Sequence, residues 1–370
     1  GGEGFGDLSD TTVTIGGLPA ALTRVSSNRI EGIVPVNASP TTTLESVVVT
    51  VDVTSFVFTS AFRFLLPIGT EPGQWEGLPD VPTALGEVTA AEINGLLYVL
   101  GEGSAQTFVF DLINQVWLPN AAARPLPGHH HAAEVVGAKL YLIGGLGDSS
   151  EGTVQIFDPA LNSWSMGAVM PRDVGSVSTA AIDGLIYAAG GIVTAGFTVE
   201  DAAVYDPVAD LWTVLADMPD KRNHTASATD GEKLYLFGGR AGGNFVTNGF
   251  DETQVYDPVT GLWESSSDMG STLLPLPEAR GGMGKAIFYR GEFYVFGGET
   301  VNDPDAVAGN VYDRVDVYNP VTNTWRLEAP MPTPRHGIFP VLFQGRMFLA
   351  GGGVIAANSQ SVTFDEFTRQ

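Results

Sequence analysis

Six tryptophans, Trp75, Trp117, Trp164, Trp212, Trp263 and Trp325, stand 42, 47, 48, 51 and 62 residues apart. Each belongs to one string of landmarks. An apolar run closes on a Gly pair: Gly144-Gly145, Gly190-Gly191, Gly238-Gly239, Gly297-Gly298, Gly351-Gly352, and a degenerate Gly101-Glu102-Gly103. An aromatic sits three residues before each pair: Tyr98, Tyr141, Tyr187, Tyr235, Tyr294 and Phe348. An Asp or Asn then ends a further strand-like run: Asp111, Asp158, Asp206, Asp257, Asn319 and, by the same reading, Asp365. A unit of this size cannot bury its apolar face alone, so its copies must pack on one another.

The unit reads as four short strands. The turns Asn94-Gly95, Asp183-Gly184 and Asp230-Gly231 join the first two as a hairpin. The Gly pair ends the second strand where neighbouring units crowd. The Asp/Asn turns the third strand into the fourth, and the Trp fills space between units. With Gly at 46 and Pro at 23 residues, and no sustained helical periodicity, the chain reads as all-β. From Pro72 on, these landmarks resemble kelch repeats, which implies a six-bladed β-propeller over about 70–370.

The count predicts how such a ring closes. The Trp follows the Asp/Asn by six residues in five units, so after Asp365 the next would fall at 371, beyond the last residue. Trp75 has no unit before it. Residues 74–79 are therefore expected to complete the last blade, removing the open edges a ring cannot leave.

Residues 1–69 carry no copy. GEGFG (2–6), TVTIGGLPA (12–20), RVSSNRIEGIVP (24–35), VVVTVD (47–52) and TSAFRF (59–64) resemble a partial IPT/TIG domain, which implies an immunoglobulin-like β-sandwich. That family has a further strand and a half before its Gly-x-Gly-Phe stretch, so the resemblance implies that Gly1 is not a natural beginning.

A net charge of -24 with 18 Lys+Arg disfavours nucleic acid and anionic membranes as partners. Val47–Ile68 is the most apolar region, but Asp52 and Arg63 interrupt it, so no membrane insertion is expected. The absence of Cys excludes thiolate chemistry, including the Tyr–Cys cross-link of the galactose oxidase-like kelch enzymes.

Length varies on one rim. The loops after the second strand grow along the chain, and blade five adds residues before its first strand, whereas the opposite turns hardly change. Binding is expected on that face, formed by the d–a and b–c loops. Arg172, Arg222, Arg280 and Arg335 recur 16–18 residues before a Gly pair, with Arg124 a looser fifth. His129, His130, His131, His224 and His336 fall in the same region, and Arg240 follows a Gly pair. The Arg set either binds an anionic ligand in the funnel or braces neighbouring loops.

The His from blades two, four and six invite a metal reading. Metal ligands must converge to ~2 Å, however, and opposed channel strands are expected to stand too far apart. Alternation along a strand lets at most one or two of His129–His131 face the channel. Asn302, Asp303 and Asp305 could ligate Ca²⁺, or belong to a solvated acidic loop. Glu299 and His336 are the candidate acid/base pair. Asn223-His-Thr225 matches the glycosylation sequon.

The leading reading is a non-catalytic, extracellular or cell-surface recognition module without cofactor, binding a glycan or protein ligand. The alternatives are an enzyme on small acidic sugars, like the kelch propellers that epimerise sialic acid, and a subunit of a surface assembly. A binder is expected to expose rim aromatics such as Phe245 or Phe250.

Overall fold

The computed structural model describes residues 8–26, 29–33, 45–52, 54–62, 71–147, 149–242, 249–300 and 310–369, and every regular element in them is a strand. The chain divides into two compact units, residues 1–71 and 72–369.

In the first unit, Leu18–Pro19, Thr11–Ile15, Glu45–Val51 and Thr54–Phe62 form one antiparallel sheet in that order. Ala21–Ser26 and Arg29–Ile33 form a separate hairpin. Val13, Ile15 and Val49 are buried, and Leu22 and Ile30 of the hairpin pack against them. Two β layers thus close on one apolar seam. The GEGFG stretch lies outside the described residues.

The second unit contains six four-stranded antiparallel sheets. Five are continuous in sequence, at 89–121, 132–167, 178–214, 226–265 and 287–327. The sixth joins Val341–Phe343, Arg346–Ala350 and Phe364–Thr368 to Gln74–Gly77. The closing strand pairs Phe367 with Trp75 and Asp365 with Gly77.

This register corrects the reading of Asp365. In the other blades the Trp faces the residue just before the turn Asp/Asn, as Trp212 faces Tyr205 beside Asp206. Here Trp75 faces Phe367, so Thr368 holds the turn position and Asp365 lies three residues earlier. It matches Asp316 of blade five, which lies three residues before Asn319. The count toward position 371 was therefore anchored on the wrong residue.

Chemistry explains each strand's place. The innermost strands of blades one to four are rich in small residues (Thr89–Ile93 reads TAAEI, Ser178–Ile182 reads STAAI), where the strands converge on one axis, whereas Ile287–Tyr289 (IFY) and Val341–Phe343 (VLF) of blades five and six carry larger side chains. The second strands, such as Leu185–Ala189, are almost wholly buried between neighbouring blades. The turn residues Asp111, Asp158, Asp206, Asp257 and Asn319 each accept backbone N–H groups two and three residues on. The indoles of Trp75, Trp117, Trp164, Trp212 and Trp263 donate to backbone carbonyls just beyond the preceding outer strand, at 2.8–3.0 Å. The Trp is a hydrogen-bonded strap between blades as well as a filler.

The Gly pairs do the reciprocal job. Gly191, Gly239 and Gly298 donate to the carbonyls of Arg222, Arg280 and Arg335 in the next blade, at 2.8–3.0 Å. A Cβ on Gly190 or Gly297 would stand 2.3 or 2.2 Å from the carbonyls of Arg222 and Arg335, and both glycines have positive φ. No other residue fits there.

Candidate functional site

One residue per blade turns into the axis just before the innermost strand: Glu87, His130, Ser176, His224, Gly282 and Gly337. All six have left-handed φ, at 39°, 60°, 49°, 53°, 69° and 57°. Backbone hydrogen bonds link them into a ring. Ser176 N donates to His130 O, His224 N to Ser176 O, Met283 N to His224 O, Gly337 N to Gly282 O, and Val88 N to Gly337 O. The first and second blades are tied instead by Thr89 Oγ1, which donates to His131 O at 2.8 Å. Two positions are Gly, the residue for which this conformation is free of strain. The other four retain side chains at a cost of about 1–3 kcal/mol each.

Those side chains form the throat. Glu87 Oε2 lies 3.4 Å from His130 Nε2. The His130 and His224 rings meet edge to face with centroids 4.8 Å apart. Ser176 Oγ lies 3.1 Å from His224 Nε2, and His129 and His130 touch through their Nδ1 atoms. A cavity of about 40 Å³ lies among Glu87, His130, Ser176 and His224. Beyond it the channel widens to about 300 Å³, lined by alanines and by larger apolar residues such as Ile287, Phe339 and Val341, and crossed by Lys285, whose Nζ donates to Glu134 Oε1 at 2.6 Å.

Beside the throat, Arg240 Nη1 pairs with Glu299 Oε1 at 3.0 Å. Ala357 N donates to Glu299 Oε2 at 2.7 Å. His336 Nε2 bonds Ile355 O at 3.0 Å, leaving Nδ1 facing Glu299 at 3.5 Å and Glu87 at 3.7 Å. Glu299 and His336 are thus adjacent, but both are buried and held by neighbouring groups.

Burial holds the His130 imidazole down to about 4, against the opposing pull of Glu87. Burial also keeps His131 and His224 well below the usual histidine value, with Arg124 adding to the effect at His131 and Arg240 at His224. Burial alone would raise the Glu87 carboxyl, but the guanidinium of Arg240 and the neighbouring imidazoles of His130, His336 and His129, where protonated, outweigh it and hold it low. Above about pH 4 the His130 imidazole is neutral in the fold, whereas in the unfolded chain it charges below about 6.5. Its contribution is complete above that pH and is lost as pH falls toward about 4, on the order of 3 kcal/mol, and the lowered His131 and His224 act in the same direction. Urea denaturation in EDTA should show unfolding free energy falling from pH 6.5 to pH 4. A flat profile would contradict the burial argument.

The Arg set does not reach the funnel as an anion site. Arg222 pairs with Glu252 at 2.6 Å and lies over the Phe250 ring at 3.9 Å. Arg280 pairs with Asp316 at 2.8 Å, and Arg335 with Asp365 at 2.6 Å. Arg280 and Arg335 have no exposed surface. Arg124 donates to the carbonyls of Ser104, Gly101 and Gly128. Arg222, Arg280 and Arg335 are each turned into their own blade and Arg124 onto the carbonyls of the preceding one, so that an acid or a carbonyl row compensates burial. Arg172 is the exception: it pairs with Asp201 at 3.2 Å and is 53% exposed.

Several expectations change accordingly. His131 is buried in its blade against Arg124 and Gln155. Asn223 is buried and donates to Thr198 Oγ1 at 2.6 Å, so the sequon there is not presented. Phe250 lies under Arg222 and is not a rim anchor. Asn302, Asp303, Asp305 and Phe245 lie outside the described residues. The expected separation of channel ligands does not hold for Glu87, His130 and His224, whose ligand atoms all lie within 4.8 Å. Left-handed φ turns these side chains inward from the throat, where the axis is narrowest. Glu87 and Ser176 were missed by sequence reasoning. The signal was present, because each precedes its Gly position by 14 residues, as His130 and His224 do.

The rim carries a second feature. An open cleft of about 580 Å³ lies among Glu151, Pro171, Arg172, Asp173 and Val193–Ala195. Nearby in sequence on the same b–c loop, Phe197 is 70% exposed, and Val169 on the adjoining d–a loop is 65% exposed.

A family model described as the Kelch motif matches residues 127–171, 175–219, 221–270 and 284–332, the four middle blades and just over half the chain. Kelch-like protein terF of Aspergillus terreus is 29% identical over 316 residues, covering 77% of this chain and 65% of that protein. Kelch-like protein 23 of Mus musculus is 29% identical over 233 residues, covering 61% of this chain and 38% of that protein. The chain thus spans less than two thirds of these curated relatives. The solved structure of YjhT matches with a TM-score of 0.65 at 18% identity, over 79% of this chain and 99% of that one. This is a likeness of fold. With its strapped blades, paired glycines and matched repeats, the chain belongs to the Kelch-motif family.

Proposed function

We propose that the propeller is a non-catalytic recognition module that binds a protein segment on the rim formed by the d–a and b–c loops. The observation that carries this reading is the cleft beside Arg172, with Phe197 and Val169 exposed on its loops. An accessible charge lining a cleft, with an exposed aromatic and an aliphatic on the same loops, are groups from which binding hot spots are made. An acidic small-sugar enzyme is less well supported, because Arg222, Arg280 and Arg335 are consumed inside their blades and the throat cavity is about 40 Å³. In the same proposal, the module is extracellular or cell-surface, and residues 1–69 are an IPT/TIG-like spacer.

Peptide and glycan arrays probed with the whole chain test the reading. Retention on peptides is expected, weakened at least ~10-fold by Phe197→Ser with Arg172→Ala, since hot-spot truncations exceed about 1.4 kcal/mol. Retention on glycans alone would replace the protein ligand with a carbohydrate. Peptide retention unchanged in the double variant would move the site elsewhere.

A second reading has its own observation. Among the described residues Thr54–Phe62 is the edge of its sheet, and Phe56, Val57 and Phe58 on it are each at least half exposed. An apolar sheet edge is suited to pairing with another chain, which favours assembly through the first unit. Light scattering of wild type against Phe56→Lys with Phe58→Lys tests it, with loss of higher mass expected.

A further inference from the structure

We propose that the throat of the propeller binds one divalent transition-metal ion of the zinc class through Glu87, His130 and His224. Among the described residues, these three offer one ligand atom each, all within 4.8 Å of one another. Two imidazoles and a carboxylate are a set that such ions favour, at about 2.0–2.2 Å per bond. Glu87 Oε2 and His130 Nε2, at 3.4 Å, already stand close to the separation of two ligands on one tetrahedral ion.

Three further observations point the same way. First, the cavity among these residues is about 40 Å³. That volume accommodates one ion with a water, and a sugar or peptide side chain would not enter. Second, His224 is oriented from behind. Asn223 Nδ2 donates to Thr198 Oγ1, which directs Asn223 Oδ1 toward His224 Nδ1. A carbonyl oxygen there selects the Nδ1–H tautomer, the supporting bond typical of metal-bound histidine, and leaves the Nε2 lone pair on the throat side, where the Ser176 hydroxyl at 3.1 Å would give way to the ion. Third, all three ligands occupy the left-handed position of their blades, at φ 39°, 60° and 53°. Gly282 and Gly337 show that the ring closes without a side chain there, so strain retained at Glu87, His130 and His224 calls for a role beyond closure.

The charges around the site suit a cation. Glu87 and Glu299 face it from blades one and five, and the guanidinium of Arg240 in blade four is already paired with Glu299. His129, His336 and Ser176 complete the surroundings.

The test uses the whole chain, stripped with EDTA and titrated with ZnCl₂ by calorimetry and with CoCl₂ by visible absorption. One equivalent of Zn²⁺ per chain is expected, together with the intense visible ligand-field bands of four-coordinate Co²⁺. Binding should be lost in His130→Ala and in His224→Ala, and weakened roughly 10- to 100-fold in Asn223→Ala. Circular dichroism in EDTA checks that each variant is folded. Should a variant not fold, the Co²⁺ spectrum of the wild type decides alone. The proposal is overturned if the wild type takes up no stoichiometric ion, if Co²⁺ shows only weak six-coordinate bands, or if folded His130→Ala and His224→Ala bind as the wild type does.

Discussion

Replacing Arg335 with alanine should destabilise the propeller by about 3–5 kcal/mol, as expected when one partner of a buried ion pair is removed. Arg335 has no exposed surface and holds Asp365 at 2.6 Å. Its Nη1 also donates to the carbonyls of Gly351 and Thr363 at 3.0 Å, and to Leu349 at 3.3 Å. The substitution strands Asp365, whose carboxyl burial already pushes up, and three carbonyls with it. Burial lowers the Arg335 guanidinium to about 10, so the pair is held in the fold at a desolvation cost. Removing both partners should therefore cost less than removing Arg335 alone. Urea denaturation of Arg335→Ala, Asp365→Ala and the double variant measures the coupling. A loss under about 1 kcal/mol in Arg335→Ala would mean that the pair is solvated and would reopen the anion-site reading.

The second large effect concerns closure. A chain beginning at Pro72 should melt cooperatively, because residues 72–369 form their own compact unit. A chain beginning at Asp80 lacks Gln74–Gly77 and leaves Phe364–Thr368 as an unpaired edge. Such an edge is open to pairing with other chains. Loss of the cooperative transition and appearance of aggregates in size exclusion are expected. Trp75→Ala is the graded version. The indole packs on Phe367 and Phe296, with ring centroids 4.9 and 6.0 Å away, and donates to Ala329 O. A loss of about 3–5 kcal/mol is expected from so large a truncation. If the chain beginning at Asp80 melted like the one beginning at Pro72, the strand would be an accessory and the ring would close without it.

Legibility differed with the range of the interaction. Trp212 and Asp206 could be placed because turn and strand chemistry acts over a few residues and recurs in every copy. Asp365 was misplaced because sequence spacing cannot tell a turn acid from the buried partner of an arginine thirty residues away. Arg222, Arg280 and Arg335 recur as a set, but recurrence is equally compatible with a funnel and with a clamp. Only the direction of each side chain separates the two. Glu87 escaped notice because its unit has a degenerate Gly pair and no histidine to mark the register.

The amino-acid sequence by itself determined the all-β class, the six-fold repeat, the closing strand around Trp75 and the rim on which loops vary. These follow from local turn chemistry and from the need of each unit to cover its neighbour's apolar face. The tertiary structure alone decided that the arginines are spent within their blades, and that Glu87, His130 and His224 meet. The three come from blades one, two and four, far apart along the chain. They converge because the ring brings one left-handed residue per blade to a common axis, a distance no spacing along the chain encodes.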